Sequence, residues 1–312
     1  MKRTILVTGG AGFIGSCMVD KLIEDPDNFV VVIDNLSTGN IKRLPTENKG
    51  NWKFIKCNSN EYRDIAAVLT SYKFDHVFHY AAVVGVKRTL DHPVSVLSDI
   101  QGIKYLLDLC KNTGVKRIFF SSSSEVYGEP FEHPQNEMTT PLNSRLPYAV
   151  VKNVGEAFLR SYKQEFDLDY TIFRFFNTYG PKQSSDFVMT RFIKSALAGE
   201  NITVYGDGSQ TRTFCYRNDN IDACASTLYN NQHLNDTVNI GSDHEVTILE
   251  LAKLIIEITG SKSKIVHLPP LNEGDMTRRK PDIAKMKNLL GRPMTKLEDG
   301  IKLTIESGQY YY

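Results

Sequence analysis

Short apolar runs alternate with stretches of helical periodicity through the first half of the chain. The runs Ile5–Thr8, Val30–Ile33, Lys53–Lys56, His76–Tyr80, Arg117–Ser121 and Thr171–Phe175 read as strands. Between them, Ser16–Glu24, Ser95–Thr113 and Tyr148–Phe166 carry the spacing of helices. Strand–helix alternation predicts an α/β fold built on a doubly wound parallel sheet. After Asn177 the segments become shorter and more polar, with turn clusters at Gly206-Asp207-Gly208 and Pro269-Pro270. The expectation is a large domain over 1–177 with a returning segment near 215–240, centred on Asp219–Tyr229. A smaller lobe then occupies most of 178–312 and contains a helix at Ile248–Thr259. There is no tandem repeat and no long low-complexity linker, and Tyr310-Tyr311-Tyr312 suggests no chemistry.

The first strand leads into Gly9-Gly10-Ala11-Gly12-Phe13-Ile14-Gly15, and a helix pattern comes next. Gly9, Gly12 and Gly15 stand at G-x-x-G-x-x-G spacing. Without side chains they let backbone N–H groups approach a pyrophosphate, and the helix N-terminus adds a favourable dipole. A second apolar run ends in Asp34, 19 residues after Gly15, where a Rossmann-type fold places an acid for the adenosine ribose. A carboxylate there accepts ribose hydroxyl bonds and repels a 2′-phosphate, so the cofactor expected is NAD.

Tyr148 and Lys152 are four residues apart, on one face of a helix. A cation beside a phenol favours its ionised form. The tyrosine can then take a proton from a substrate alcohol while hydride leaves the same carbon, and a hydroxyl from the run Ser121 to Ser124 can share that proton. Tyr-x-x-x-Lys alone is ordinary helix surface more often than a site. The glycine turn and Asp34 are what give it meaning.

Composition narrows the remaining classes. At 312 residues and 41% hydrophobic content, the chain can build one large core or two unequal domains. A net charge of +1 offers no electrostatic case for nucleic acid or an anionic membrane. No apolar stretch approaches a membrane span, and the first residues read as a strand instead of a signal peptide, so a cytoplasmic location is expected. Cys17, Cys57, Cys110, Cys215 and Cys224 are scattered, as reduced thiols are, and no metal site is expected from them or from the histidines.

Taken together, these residues resemble the extended short-chain dehydrogenase/reductases, in the branch that modifies nucleotide sugars. The resemblance spans nearly the whole chain. It rests on Thr8 to Gly15, Tyr80-Ala81-Ala82, Ser-Glu-Val-Tyr-Gly at 124–128, Tyr148-x-x-x-Lys152, Phe176-Asn177-Thr178-Tyr179-Gly180-Pro181, Val204 to Arg212 and Arg278-Arg279-Lys280-Pro281-Asp282. It implies a Rossmann-type sheet with a smaller C-terminal substrate-binding lobe, a retained NAD, a UDP-linked or similar sugar, and a homodimer paired through Ser95–Thr113 and Tyr148–Phe166. By the same resemblance Ser123, Glu125, Tyr148 and Lys152 are catalytic. Gly9, Gly12, Phe13, Ile14, Gly15, Asp34, Asn35, Ala81 and Ala82, with Tyr148 and Lys152, hold the cofactor. Ser124, Glu125, Asn177, Val188, Tyr205, Arg212 and Arg279 meet the substrate, with Asn177 and Arg212 on the diphosphate. Two positions depart from the pattern. Asn58 replaces an acid usually near the adenine, and Asp99 replaces an asparagine, so neither cofactor role is carried over.

The branch implies a common first step, in which Tyr148 deprotonates the sugar 4-hydroxyl and C4 is oxidised. The later steps distinguish its members. Ser124 is unlike the usual dehydratase acid, and Glu125 is unlike the common epimerases. The segment from Ser122 to Glu137, with Gly208 to Phe214 and Arg279 to Asp282, resembles UDP-glucuronate decarboxylases, in which the arginine matching Arg279 lies near the sugar carboxylate. Arg279 also reads as an unselective phosphate ligand or a surface residue. Val83 to Arg88, the surroundings of Tyr148 and the short stretch after Pro181 look more like epimerases and dehydratases. The leading expectation is therefore decarboxylation of UDP-glucuronate, ahead of a UDP-sugar 4-epimerase and then a 4,6-dehydratase. A non-catalytic NAD or nucleotide-sugar sensor is the alternative outside enzymes, and the intact Ser123, Tyr148 and Lys152 argue against it. Glu125 is expected to be a buried carboxylate that passes a proton near C5.

Overall fold

A computed structural model describes residues 2–47, 49–84, 89, 91–129, 131–270 and 279–309. Residues 85–88, Pro130, Arg278 and the terminal tyrosines lie outside the described residues. The chain divides into two compact units, 1–128 with 142–175 and 221–238, and 129–141 with 176–220 and 239–312.

The first unit is built on β1 (Arg3–Thr8), β2 (Asn28–Asp34), β3 (Trp52–Lys56), β4 (His76–His79), β5 (Arg117–Ser123) and β6 (Asp169–Phe175), with β7 (Asp236–Ile240) completing the sheet. Their spatial order is β7-β6-β5-β4-β1-β2-β3, and β1 to β6 pair in parallel. This is a doubly wound sheet whose order reverses between β1 and β4, which opens a crevice at the carboxyl ends of those strands. Strands buried on both faces read as continuous apolar runs, and Ile5–Val7 and Val30–Ile33 are such runs. One face is covered by α2 (Tyr62–Ser71), α4 (Asp99–Thr113) and α5 (Pro147–Phe166), whose Leu69, Leu106, Leu107 and Leu159 pack with Leu6, Val77, Ile118 and Ile172. Each such buried leucine contributes roughly 1.5–3 kcal/mol. On the strands' alternate positions, Phe78 stacks on Phe119 with centroids 4.3 Å apart.

Two boundaries differ from the periodicity. The helix after the glycine turn, α1, covers Phe13–Leu22, starting three residues earlier than its apolar pattern. The stretch expected as one helix over 95–113 is α3 (Pro93–Leu97) followed by α4. Between them the Ser98 hydroxyl turns back to the Ser95 carbonyl at 2.6 Å, the local competition that makes serine a weak helix-interior residue.

In the second unit, Ile202–Tyr205 pairs in parallel with Ile265–Leu268, and Thr211–Thr213 pairs antiparallel with Glu245–Thr247. Thr247 and Glu250 form a reciprocal capping box that starts the helix Ile248–Thr259. Its apolar face, Leu251 and Ile255, packs with Phe192, Ile193 and Ile301. Glu129–Pro141, which the linear order places in the large domain, belongs to this unit. Gln135 donates its backbone N–H to the Lys280 carbonyl at 2.7 Å and accepts from Asp282 N–H at 2.8 Å. No helix among the described residues is long and apolar enough to cross a membrane. All five cysteines are free and buried.

Candidate functional site

The turn after β1 is lined by backbone. Gly9 has φ +66°, a left-handed conformation, and a Cβ there would stand 2.6 Å from Ala81 N. At Gly15 a Cβ would meet the Gly9 carbonyl at 2.2 Å. Gly12 is the N-cap of α1 and offers no side chain to its first N–H groups, the arrangement that receives an anion. Phe13, Ile14 and Gly15 form that first turn. At the end of β2, Asp34 accepts from Ala11 N–H at 3.0 Å and from Leu36 N–H at 2.7 Å. Burial raises its pKa, opposed by those two N–H groups and the charge of Arg43. Asn35 accepts from Ser37 N–H at 2.9 Å. Ala81 and Ala82 follow β4, where Ala81 N–H donates to Thr8 Oγ1 at 3.1 Å. A side-chain-free turn, an uncapped helix start and an acid at the next strand end suit a dinucleotide.

One strand away, β5 and α5 assemble the hydroxyl, phenol and amine. Ser123 ends β5 and accepts from Glu125 N–H at 3.2 Å, capping a short 3-10 turn, Ser124–Tyr127. Its hydroxyl is also hydrogen-bonded to Tyr148. Proline at the first position of α5, Pro147, pre-sets the helix entry that carries Tyr148. One turn on, Lys152 is buried, its Nζ 5.7 Å from the Tyr148 ring centroid and 3.4 Å from Ser121 Oγ. Gly155 permits this closeness, because a Cβ there would stand 2.4 Å from Phe120 on β5.

The electrostatics correct the simplest expectation. Tyr148 is not acidified. Burial raises its pKa, the charge of Glu125 raises it further, the Ser123 hydrogen bond opposes both, and Asp99 adds to the rise. The residue keeps some exposed surface, yet burial is the largest cause of the rise. Lys152 is itself pushed down to about 8 by burial, with Asp99 pulling the other way. Glu125 is partly exposed, not the buried carboxylate expected.

Sequence reasoning missed the support beneath these groups. Glu156, fully buried one turn after Lys152, accepts from Arg174 at 2.7 and 2.9 Å and from Ser122 Oγ at 2.7 Å. Arg174 also donates to the Tyr127 hydroxyl at 2.9 Å, so the network grips the Ser124–Tyr127 turn at its last residue and, through Ser122, at the strand that leads into it. The i+4 step from Lys152 to Glu156 was the available signal. Asp99, passed over as a departure, is buried at the start of α4. Asn58, the other departure, accepts from Asn60 N–H at 3.2 Å.

The remaining candidates lie in the second unit. Asn177 donates to the Thr213 carbonyl at 3.2 Å, beside Arg212 on the same strand, and Arg212 pairs across to Val246. Val188 opens the helix Val188–Ala198, and the guanidinium of Arg191 on that helix lies 5.8 Å from the Tyr205 ring centroid. Arg279 is buried. Among the described residues no cluster of histidine, cysteine and carboxylate side chains could hold a metal.

A reversing parallel sheet with a glycine turn, an acid on β2 and a Ser–Tyr–Lys cluster defines an NAD-dependent enzyme that works on an alcohol carbon. The chain belongs to the NAD dependent epimerase/dehydratase family, which matches residues 5–241. It is 37% identical to UDP-glucuronic acid decarboxylase 1 of Danio rerio over 98% of this chain and 72% of that one. It is 34% identical to a UDP-N-acetyl-alpha-D-glucosaminuronate decarboxylase of Bacillus cytotoxicus over 98% of both. Among solved structures, a UDP-glucose 4-epimerase of Thermotoga maritima with UDP-glucose superposes with TM-score 0.91 at 35% identity, covering 97% of each chain. The protein is an NAD-dependent enzyme of nucleotide sugars.

Proposed function

We propose that the substrate is UDP-glucuronate and that the enzyme removes its carboxyl group, giving UDP-xylose or its 4-keto form. The observation that carries this reading is Glu125, held two residues beyond Ser123 and facing Tyr148 electrostatically, in a chain similar throughout to decarboxylases. Bound NAD supplies a reversible two-electron acceptor for the sugar carbon. Gly9, Gly12, Phe13, Ile14 and Gly15 would hold its pyrophosphate, Asp34 and Asn35 its adenosine ribose, and Ala81 and Ala82 would line the nicotinamide side. Lys152 compensates the charge of the Tyr148 phenolate, which takes the proton of the 4-hydroxyl with Ser123 sharing it. A ketone at C4 lies β to the C5 carboxylate, so the C5–carboxylate bond pair can flow into the carbonyl as carbon dioxide leaves. Glu125, partly exposed, then relays a proton from solvent to C5 of the enolate. Asn177 and Arg212 bind the diphosphate, Arg279 the sugar carboxylate, and Ser124, Val188 and Tyr205 the rest of the substrate.

The test is incubation with UDP-glucuronate, UDP-glucose and UDP-N-acetylglucosamine, then mass spectrometry and carbohydrate NMR. Release of carbon dioxide from UDP-glucuronate supports the proposal. Unchanged mass with a new C4 configuration means a 4-epimerase, the reading favoured by the Thermotoga likeness. Loss of water means a dehydratase. The same reading includes a cytoplasmic homodimer paired through α4 and α5, where Phe166 is 42% exposed. Light scattering giving the monomer mass would exclude that assembly.

A further inference from the structure

Asp99 opens α4 inside a frame built around its carboxylate. Oδ1 accepts from Asn60 Nδ2 at 2.7 Å, and Oδ2 accepts from Val83 N–H at 2.8 Å. Both donors are neutral, so neither cancels its charge. Asn60 is seated by Gly102, where a Cβ would stand 1.9 Å from its Oδ1. A helix's first turn adds a dipole that favours negative charge. Helices α4 and α5 pack together, and the charge of Asp99 reaches both Lys152 and Tyr148.

The other groups around this pair leave that influence distinct. Glu125 faces Tyr148 from the turn after β5. His79, at the end of β4, is hydrogen-bonded to Thr8 at 2.8 Å and held neutral, pushed down to about 3 by burial and then by Lys152. On α2, Asp64 accepts from Asn58 N–H at 3.1 Å. Helix α3 carries no charged residue.

We propose that Asp99 is a positioning residue whose charge sets the pH range of turnover, keeping Lys152 protonated and Tyr148 a stronger base. The inference rests on the reading of Tyr148 and Lys152 as the proton-handling pair. A neighbouring negative charge favours a cation and disfavours a phenolate, so removing it lowers both pKa values.

Asp99→Asn keeps the size and an acceptor for Val83 N–H. The expected result is that both limbs of the kcat–pH profile move towards acid together, by about one pH unit. A lower kcat with unmoved limbs would mean a merely structural role and overturn the proposal. Asn60→Ala removes a hydrogen bond and leaves the charge, so its limbs should stay with the wild type. Limbs displaced as far as in Asp99→Asn would show that the hydrogen-bond frame sets the range, and the proposal would fall. Asp99→Ser, also uncharged, serves if the amide variant does not fold. A substrate-free readout separates this inference from the proposed reaction. NMR of 13C-labelled lysine, with Lys152 assigned by its loss in Lys152→Met, should titrate at lower pH in Asp99→Asn. An unchanged Lys152 titration overturns the inference even if the sugar proves to be another one.

Discussion

Lys152 and Glu156 are both buried on one face of α5, a single turn apart, yet their surroundings are opposite. Glu156 has its charge met by Arg174 and Arg160 and a bond from Ser122. Burial alone would raise its pKa, but the Arg174 hydrogen bonds and charge, with Ser122 and Arg160, hold it below the ordinary carboxylate range. Lys152 has a long 3.4 Å contact to Ser121 and aromatic faces 5.1 and 5.7 Å away, and it is pushed down to about 8. A satisfied buried charge is locked in one protonation state, whereas an under-compensated one can change state near neutral pH. The same helix face thus carries a fastener and a titrating group.

The contrast can be broken from either side. The largest effect belongs to Tyr148→Phe, which leaves the fold intact and should lower turnover by about 10³-fold, measured against the wild type by product formation. Glu156→Ala strands Arg174 and should cost about 3–5 kcal/mol in denaturant unfolding. Because the folded pKa of Glu156 is lowered, its stabilisation is complete above the unfolded value of 4.5 and drains as pH falls through the folded value. Acid unfolding of the wild type should therefore steepen below that point, and less so in Glu156→Gln. Lys152→Met should show the reverse, losing about 10²-fold in turnover while the melting temperature holds or rises, since a costly buried amine is removed. In the wild type, turnover should fall above about pH 8 as that amine loses its proton. The smallest effect is expected at the exposed Lys104–Asp108 pair on α4, where Lys104→Ala should change stability by less than about 0.5 kcal/mol.

Much of this was legible in the chain. Continuous apolar runs marked β1 and β2, and glycine spacing with Asp34 marked the turn and strand end proposed for the cofactor, because both depend on residues close in sequence. Tyr148 and Lys152 were legible as one helix turn. The segment around Gln135 was not, since its assignment depends on pairing with Pro281, far along the chain. The pKa of Tyr148 was misjudged for a related reason. Spacing shows that a lysine is near, but not that burial weakens the lysine as a cation and that Glu125 and Asp99 oppose it. Arg174 under the Ser124–Tyr127 turn was invisible for want of any local signal.

The five concealed thiols offer a way to watch the molecule open. Cys17, Cys57, Cys110 and Cys224 belong to the first unit and Cys215 to the second. Burial pushes Cys57 up to about 11 and raises Cys110 and Cys224 as well, so an alkylating reagent finds few thiolates until the surrounding structure parts. Peptide-resolved alkylation over time would act as a set of internal stopwatches, timing the opening of each unit separately without a single added label.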